Sequence, residues 1–143
     1  MNQRLFIIDD NPGDVELVRQ ALNEIGAGVE ITSATDGDEA FRMLHELAAT
    51  RDRFPGLILL DLNLITQHGH DILRRLKADP LLKTVPVAVY TSSQTDRDIR
   101  LSYAEGAVTC LAKPLTYEET LDLMKSVTTS WFTAADTDSR RMP

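Results

Sequence analysis

A single cysteine, Cys110, excludes an internal disulfide and fits a reducing compartment. Basic charge is in deficit as well. Fifteen Lys and Arg stand against 22 Asp and Glu, a formal net charge of -7. A DNA-binding module needs a basic face to neutralise phosphates, so this balance argues against one and suits a divalent cation or a basic partner. No apolar run approaches the roughly 20 residues that cross a bilayer. Met1-Asn2-Gln3-Arg4 leads directly into a strand pattern, without the layout of a signal peptide. The expected location is the cytoplasm, with neither membrane nor nucleic acid as partner. There is no internal repeat and no linker, and 143 residues are enough for one domain with a real core.

What is present is an alternation of short apolar runs with helical patterns. Leu57-Ile58-Leu59-Leu60 is an unbroken apolar run bounded by Pro55-Gly56, as in a strand buried on both faces of a parallel sheet. Further strands are expected over Arg4–Ile8, Val29–Thr32, Val87–Tyr90 and Val108–Ala112. Asn11 before Pro12 opens a helix carrying Val15, Val18, Ala21, Leu22 and Ile25, which Gly26 or Gly28 stops. Asp36 with Glu39 marks a second helix in the manner of a capping box, and Ala40, Phe41, Leu44 and Leu47 form its apolar face. A third spans Asp71–Ala78. A fourth starts near Thr95 and ends at Gly106, with thin apolar content. Thr116 with Glu119 starts the fifth, which reaches Trp131-Phe132. Five strands alternating with five helices give an α/β fold, a parallel sheet with helices on both faces.

Open sheets of this kind carry their sites at the carboxyl ends of the strands. Asp9-Asp10 ends the first strand, Asp61 the third, Thr91 the fourth, and Lys113 the last. Two carboxylates about 4 Å apart repel by roughly 4 kcal/mol at an effective dielectric of ~20. Such a cluster persists only with a proton, a lysine or a metal. An all-oxygen set with room for water suits Mg²⁺. A carboxylate nucleophile, a divalent cation, a lysine and a hydroxyl are the parts needed to accept and hold a phosphoryl group. Each residue alone is as readily a helix cap or a solvated acid; their joint order along five strands is what points to chemistry.

Asp9-Asp10-Asn11, then Asp61-Leu62-Asn63 with Gly69, Thr91-Ser92 and Lys113-Pro114 together resemble a response-regulator receiver domain, from about Arg4 to Val127. The resemblance implies a flavodoxin-like, doubly wound sheet of order 2-1-3-4-5, with residues 1–133 as the receiver and 134–143 as a polar, flexible tail. It implies Asp61 as phosphoacceptor, and Mg²⁺ held by Asp9, Asp10, Asp61 and the backbone carbonyl of Asn63. Thr91 is then the switch hydroxyl, Ser92 the small residue lining the approach, and Lys113 the phosphate-contacting lysine. A cis Lys113–Pro114 bond is implied too. Asn11-Pro12-Gly13-Asp14, Asp61-Leu62-Asn63-Leu64 and Trp131-Phe132 are similar to single-domain regulators paired with bacterial phytochrome histidine kinases. The implied partners are a sensor histidine kinase, a histidine phosphotransfer protein and a second copy of the chain, bound through the fourth and fifth helices and the last strand. The implied role is signalling and not enzymatic turnover.

The sequence departs from that pattern at three places. Ile65 replaces a common proline four residues after Asp61, and His68 stands where the residue before the loop glycine is often acidic. Cys110 occupies the position, three before Lys113, where many receivers carry Tyr or Phe, which puts the usual coupling of Thr91 to an aromatic ring in doubt. His68 and His70 lack a third metal ligand, so a solvated or partner-facing loop is the better reading. Tyr103, Tyr117 and Trp131 on the last two helices mark a candidate interface. Two other functions fit the parts: a scaffold that works without phosphorylation, and a haloacid-dehalogenase-like phosphohydrolase. The latter wants an acid two residues after its nucleophile, where this chain has Asn63, and a cap insertion.

Overall fold

Leu57, Ile58, Leu59 and Leu60 are fully buried, and successive side chains go to opposite faces of one sheet. Ile58 and Leu60 join one apolar cluster, Leu57 and Leu59 the other. Leucine favours helices intrinsically; here burial on two sides decides the conformation instead. A computed structural model of the chain describes residues 3–50 and 53–132. Its strands are β1 (Arg4–Ile8), β2 (Glu30–Ala34), β3 (Leu57–Leu60), β4 (Val87–Thr91) and β5 (Thr109–Ala112), all parallel in the order β2-β1-β3-β4-β5. The helices are α1 (Pro12–Ile25), α2 (Gly37–Ala48), α3 (Gly69–Ala78), α4 (Asp96–Ala104) and α5 (Tyr117–Val127). The fold class and strand order are those expected.

Phe41 and Leu44 of α2 with Ile72, Leu73 and Leu76 of α3 close one face of the sheet. Val15, Val18 and Leu22 of α1 with Met124 and Val127 of α5 close the other. Each such side chain, fully buried, contributes about 1.5–3 kcal/mol. Among the described residues no α4 side chain belongs to either cluster, and the buried residue of that helix is Ser102. Its thin apolar face corresponds to a helix laid on the edge of the sheet.

Helix ends follow their caps. Asn11 Oδ1 accepts the Asp14 N–H at 3.1 Å with Pro12 in the first turn, and Gly26, at φ 72°, terminates α1. Thr95 and Thr116 cap α4 and α5, the latter through a complete capping box with Glu119. Asp36 Oδ1 accepts from the Glu39 N–H, but Glu39 reaches back to the Thr35 N–H, one residue earlier than a capping box requires.

Several boundaries differ from expectation. Strand β2 runs to Ala34, because pairing with β1 continues to Ile8. Helix α3 starts two residues early, at Gly69, where the chain turns back against Leu62. Strand β5 starts at Thr109, and α4 ends at Ala104, before Gly106 at φ 105°. After α5 the chain continues through a π-helical turn, Thr128–Phe132, which buries Phe132. The expected tail, 134–143, lies outside the described residues.

Candidate functional site

The ladder does not stop where the strands do. Asp61 N–H donates to Ile8 O at 3.0 Å, Asp9 N–H to Ala34 O at 3.0 Å, and Lys113 N–H to Thr91 O at 3.0 Å. These bonds lock the backbones of the residues that follow β1, β3 and β5, each against the neighbouring strand. Their side chains therefore meet at one carboxyl-end edge.

Asp9 and Asp61 are only 3% and 6% exposed. Asp9, Asp10 and Asp61 each bring a carboxylate oxygen within 4.8 Å of the others, and no other such group of three occurs among the described residues. Asp61 Oδ1 accepts the Asn63 N–H at 3.0 Å and the Thr91 hydroxyl at 3.0 Å. Thr91 Oγ1 in turn accepts from Asn63 Nδ2 and from the Ser93 N–H, both at 3.3 Å, which uses its one donor and two lone pairs. The Lys113 ammonium lies 2.7 Å from Asp9 Oδ2, 2.9 Å from Asp61 Oδ2 and 2.7 Å from Asp14 Oδ2.

Burial, with a smaller push from the Asp61 charge, raises the Asp9 carboxyl above its ordinary value against the opposing pull of Lys113 and the Asn11 N–H. Burial also acts to lower the Lys113 ammonium, but its bonds to Asp14, Asp9 and Asp61 outweigh that and hold it above its usual value. Lys113 is thus a fixed cation in a pocket of acids. The donors are all oxygen, they converge, and they carry surplus negative charge, so the set fits a hard divalent cation such as Mg²⁺. Asp9, Asp10 and Asp61 would hold it.

The loop after β3 is shaped by glycine. A Cβ on Gly69 would lie 2.4 Å from Leu62 Cα and 2.8 Å from Asp61 O, so only glycine allows the chain to fold back there. Gln67 from the same loop accepts the Gly37 N–H at the start of α2, at 2.6 Å. Ile65 N–H donates to Asp10 Oδ2 at 2.6 Å, which ties the loop directly to the acid cluster.

The sequence expectation thus meets in space at Asp9, Asp10, Asp61, Thr91 and Lys113, with Asn63 bridging Asp61 and Thr91. Ser92 is exposed and lines a cavity of about 520 Å³ with Gln94, Lys113, Pro114, Leu115 and Leu123. Asp14 was missed. Its signal was available, an acid in the first turn of the helix that follows the Asp pair, but helix-start acids are too common to single it out. The two histidines are not a metal pair. His68 is exposed, while the His70 ring lies 2.9 Å from Glu105 and 3.2 Å from Asp98 and joins α3 to α4. The expected cis bond is corrected too. Lys113–Pro114 is trans, the intrinsically preferred isomer, and Lys113 reaches all three acids from it. Of the three aromatics, Tyr103 alone is exposed, at 49%. Tyr117 at the start of α5 and Trp131 in the π-helical turn after it both pack against the cluster that α1 and α5 cover.

Residues 5–125 match the model of the response regulator receiver domain family. The chain is 30% identical to the response regulator Rcp1 of Synechocystis sp. over 129 residues, 89% of this chain and 87% of that one. In structure it is similar to the phosphorylated cyanobacterial phytochrome response regulator RcpA. That match has a TM-score of 0.82 and 31% identity, over 94% of this chain and 96% of the other. The Mn²⁺-bound form of Rcp1 matches with a TM-score of 0.76 and 28% identity, over 88% and 91% of the two chains.

Proposed function

This chain belongs to the response regulator receiver domain family, and from that premise we propose that Asp61 is its phosphoacceptor, with Thr91 and Lys113 as the groups that hold the transferred phosphoryl. The observation that carries the reading is the setting of Asp61. It is a buried carboxylate at a strand end, held by one N–H, one hydroxyl and one ammonium beside two further acids. Receiver domains signal; their partner is a kinase of the sensor type. In the transfer, an Asp61 oxygen forms an O–P bond as the donor's P–N bond breaks, and the donor imidazole leaves with the electron pair. Lys113 and the Thr91 hydroxyl supply donors to the phosphoryl oxygens, which is positioning and charge neutralisation. Asp9, Asp10, Asp61 and the carbonyl of Asn63 are the proposed Mg²⁺ ligands. A divalent cation there neutralises phosphoryl charge when bound.

The likeness to the cyanobacterial phytochrome response regulator RcpA supports a phytochrome-type histidine kinase as the input, and the proposed location is the cytoplasm. A histidine phosphotransfer protein is the proposed second exchange partner. Exposed Tyr103, Val108 and Leu115 around the free edge of β5 support self-association through α4, β5 and α5. The deciding experiment is labelling with radioactive phosphoryl from a histidine kinase or a small phosphodonor. Wild type labels in the presence of Mg²⁺ and Asp61→Asn does not; undiminished labelling of the variant refutes the assignment. Beryllofluoride with sedimentation then reports whether self-association follows loading. Failure of wild type to bind both Mg²⁺ and the mimic would move the weight to a scaffold.

A further inference from the structure

Lys113 has one ammonium with three N–H donors, and three carboxylate oxygens lie within hydrogen-bond distance of it. Its side chain is 9% exposed, so water does not share those donors freely. Two of the three acceptors do double duty. Asp9 belongs to the acid cluster that fits a cation, and Asp61 is the proposed phosphoacceptor. Asp14 belongs to neither role: it stands outside the group of three converging acids. It is also held independently of them, in the first turn of α1, with its backbone N–H on the Asn11 side chain and Pro12 setting the start of the helix.

Loading the site changes the other two acceptors. A phosphoryl on Asp61 removes the carboxylate charge that Lys113 faces there, and a cation competes with Lys113 for Asp9. Only Asp14 keeps its full charge and its place. We propose that Asp14 is a positioning residue for phosphoryl transfer: it holds the Lys113 ammonium at the mouth of the site, so that the donors freed from Asp61 meet a phosphoryl oxygen. The inference rests on the phosphoacceptor reading of Asp61.

Simple charge repulsion makes the opposite prediction. Asp14 is a fourth acid near an incoming dianion, so if it acted only through its charge, removing it would speed phosphorylation and steady the product. Positioning requires that removing it slow the reaction. The sign therefore separates the two.

The test measures labelling by a small phosphodonor at saturating Mg²⁺ for wild type, Asp14→Ala, Asp14→Asn and Asp61→Asn. The expected result is a rate constant about tenfold lower in Asp14→Ala, the size of losing one charge-assisted hydrogen bond, with partial recovery in Asp14→Asn, whose amide oxygen still accepts. A second readout needs no metal and no donor. In the metal-free chain, nitrogen-15 NMR of the Lys113 ammonium should show slow proton exchange in wild type and several-fold faster exchange in Asp14→Ala. An equal or higher labelling rate in Asp14→Ala, or unchanged ammonium exchange, overturns the inference while the phosphoacceptor reading stands. Wild type that does not label, or Asp61→Asn that does, overturns both.

Discussion

The backbone N–H of Ile65 donates to Asp10 Oδ2 across 2.6 Å, and a proline at that position could not make this bond. Ile65 itself is 90% exposed, so its side chain does nothing to hold the loop; the backbone does. The departure from the common receiver pattern at residue 65 is therefore a gain of one donor, aimed at a proposed metal ligand. In the absence of a cation that donor partly satisfies Asp10 and keeps the β3–α3 loop over the site.

Removing the donor should make Asp10 more available to a cation. Ile65→Pro is expected to bind Mg²⁺ several-fold more tightly than wild type, since a hydrogen bond to a charged group is worth about 1.5–3 kcal/mol and partial exposure reduces that. Ile65→Ala keeps the N–H and should match wild type. Titration of Mg²⁺ against amide chemical shifts measures both. Equal affinities in all three chains would mean that Asp10 serves the loop and the cation at once.

Gly69 gives a sharper steric prediction. A methyl group there meets Leu62 Cα and Asp61 O, both backbone or near-backbone atoms that cannot rotate away. Gly69→Ala should cost about 1–3 kcal/mol of stability, as overpacking does. It should also weaken Mg²⁺ binding, because one of the two atoms displaced is the Asp61 carbonyl oxygen and the other belongs to the next residue. Urea unfolding and the same titration report the two effects; a stable variant with wild-type affinity would show that the loop can relax.

The contrast between these two residues explains how far the sequence could be read. Short apolar runs ending on Asp9, Asp61, Thr91 and Lys113 announce a parallel sheet and its carboxyl edge, because strand ends and site coincide in such folds. The residues that hold the edge together announce themselves less. Asp14 reaches Lys113 across 99 positions of chain, and Ile65 acts through a backbone atom that every non-proline residue has. Likewise the place of Tyr117 on the last helix marks it, in sequence alone, as an interface residue. Its ring packs on the core and its hydroxyl donates to Glu24, which only the meeting of α1 and α5 decides. Local pattern fixes elements, whereas long-range pairing fixes which face of each is free.

Asp98 joins the site's outer edge to α3. It accepts from the Ser93 hydroxyl, whose backbone N–H reaches Thr91, and it faces His70. Those bonds, from Ser93 first and His70 next, hold its carboxyl below the ordinary 3.8. An acid depressed in the folded state lends stability that is fully present above its unfolded pKa and is lost as pH falls through the folded one. The wild-type advantage over Asp98→Asn, about 1 kcal/mol at pH 5, should shrink as pH falls below about 4. Urea unfolding of the pair across pH tests this, and an advantage that grows on acidification would reverse the assignment.

Cys110 stands where many receivers carry an aromatic ring, and it is held as a half-buried thiol. Its side chain packs against the cluster under α2 and α3, with Sγ 3.9 Å from Ile99 O, and its N–H donates to the Tyr103 hydroxyl at 3.3 Å. Burial pushes the thiol above its ordinary 9.0, and only the thiolate reacts. At pH 8 the folded chain should therefore be modified by a thiol reagent at least tenfold more slowly than the urea-unfolded chain. The rate should climb with pH past 9. Reaction at the unfolded rate would instead mark an accessible, activated thiol and point to a redox role. Tyr103→Phe supplies the control for packing: it frees the Cys110 N–H at the sheet edge, so amide exchange there should quicken while thiol reactivity stays near that of wild type.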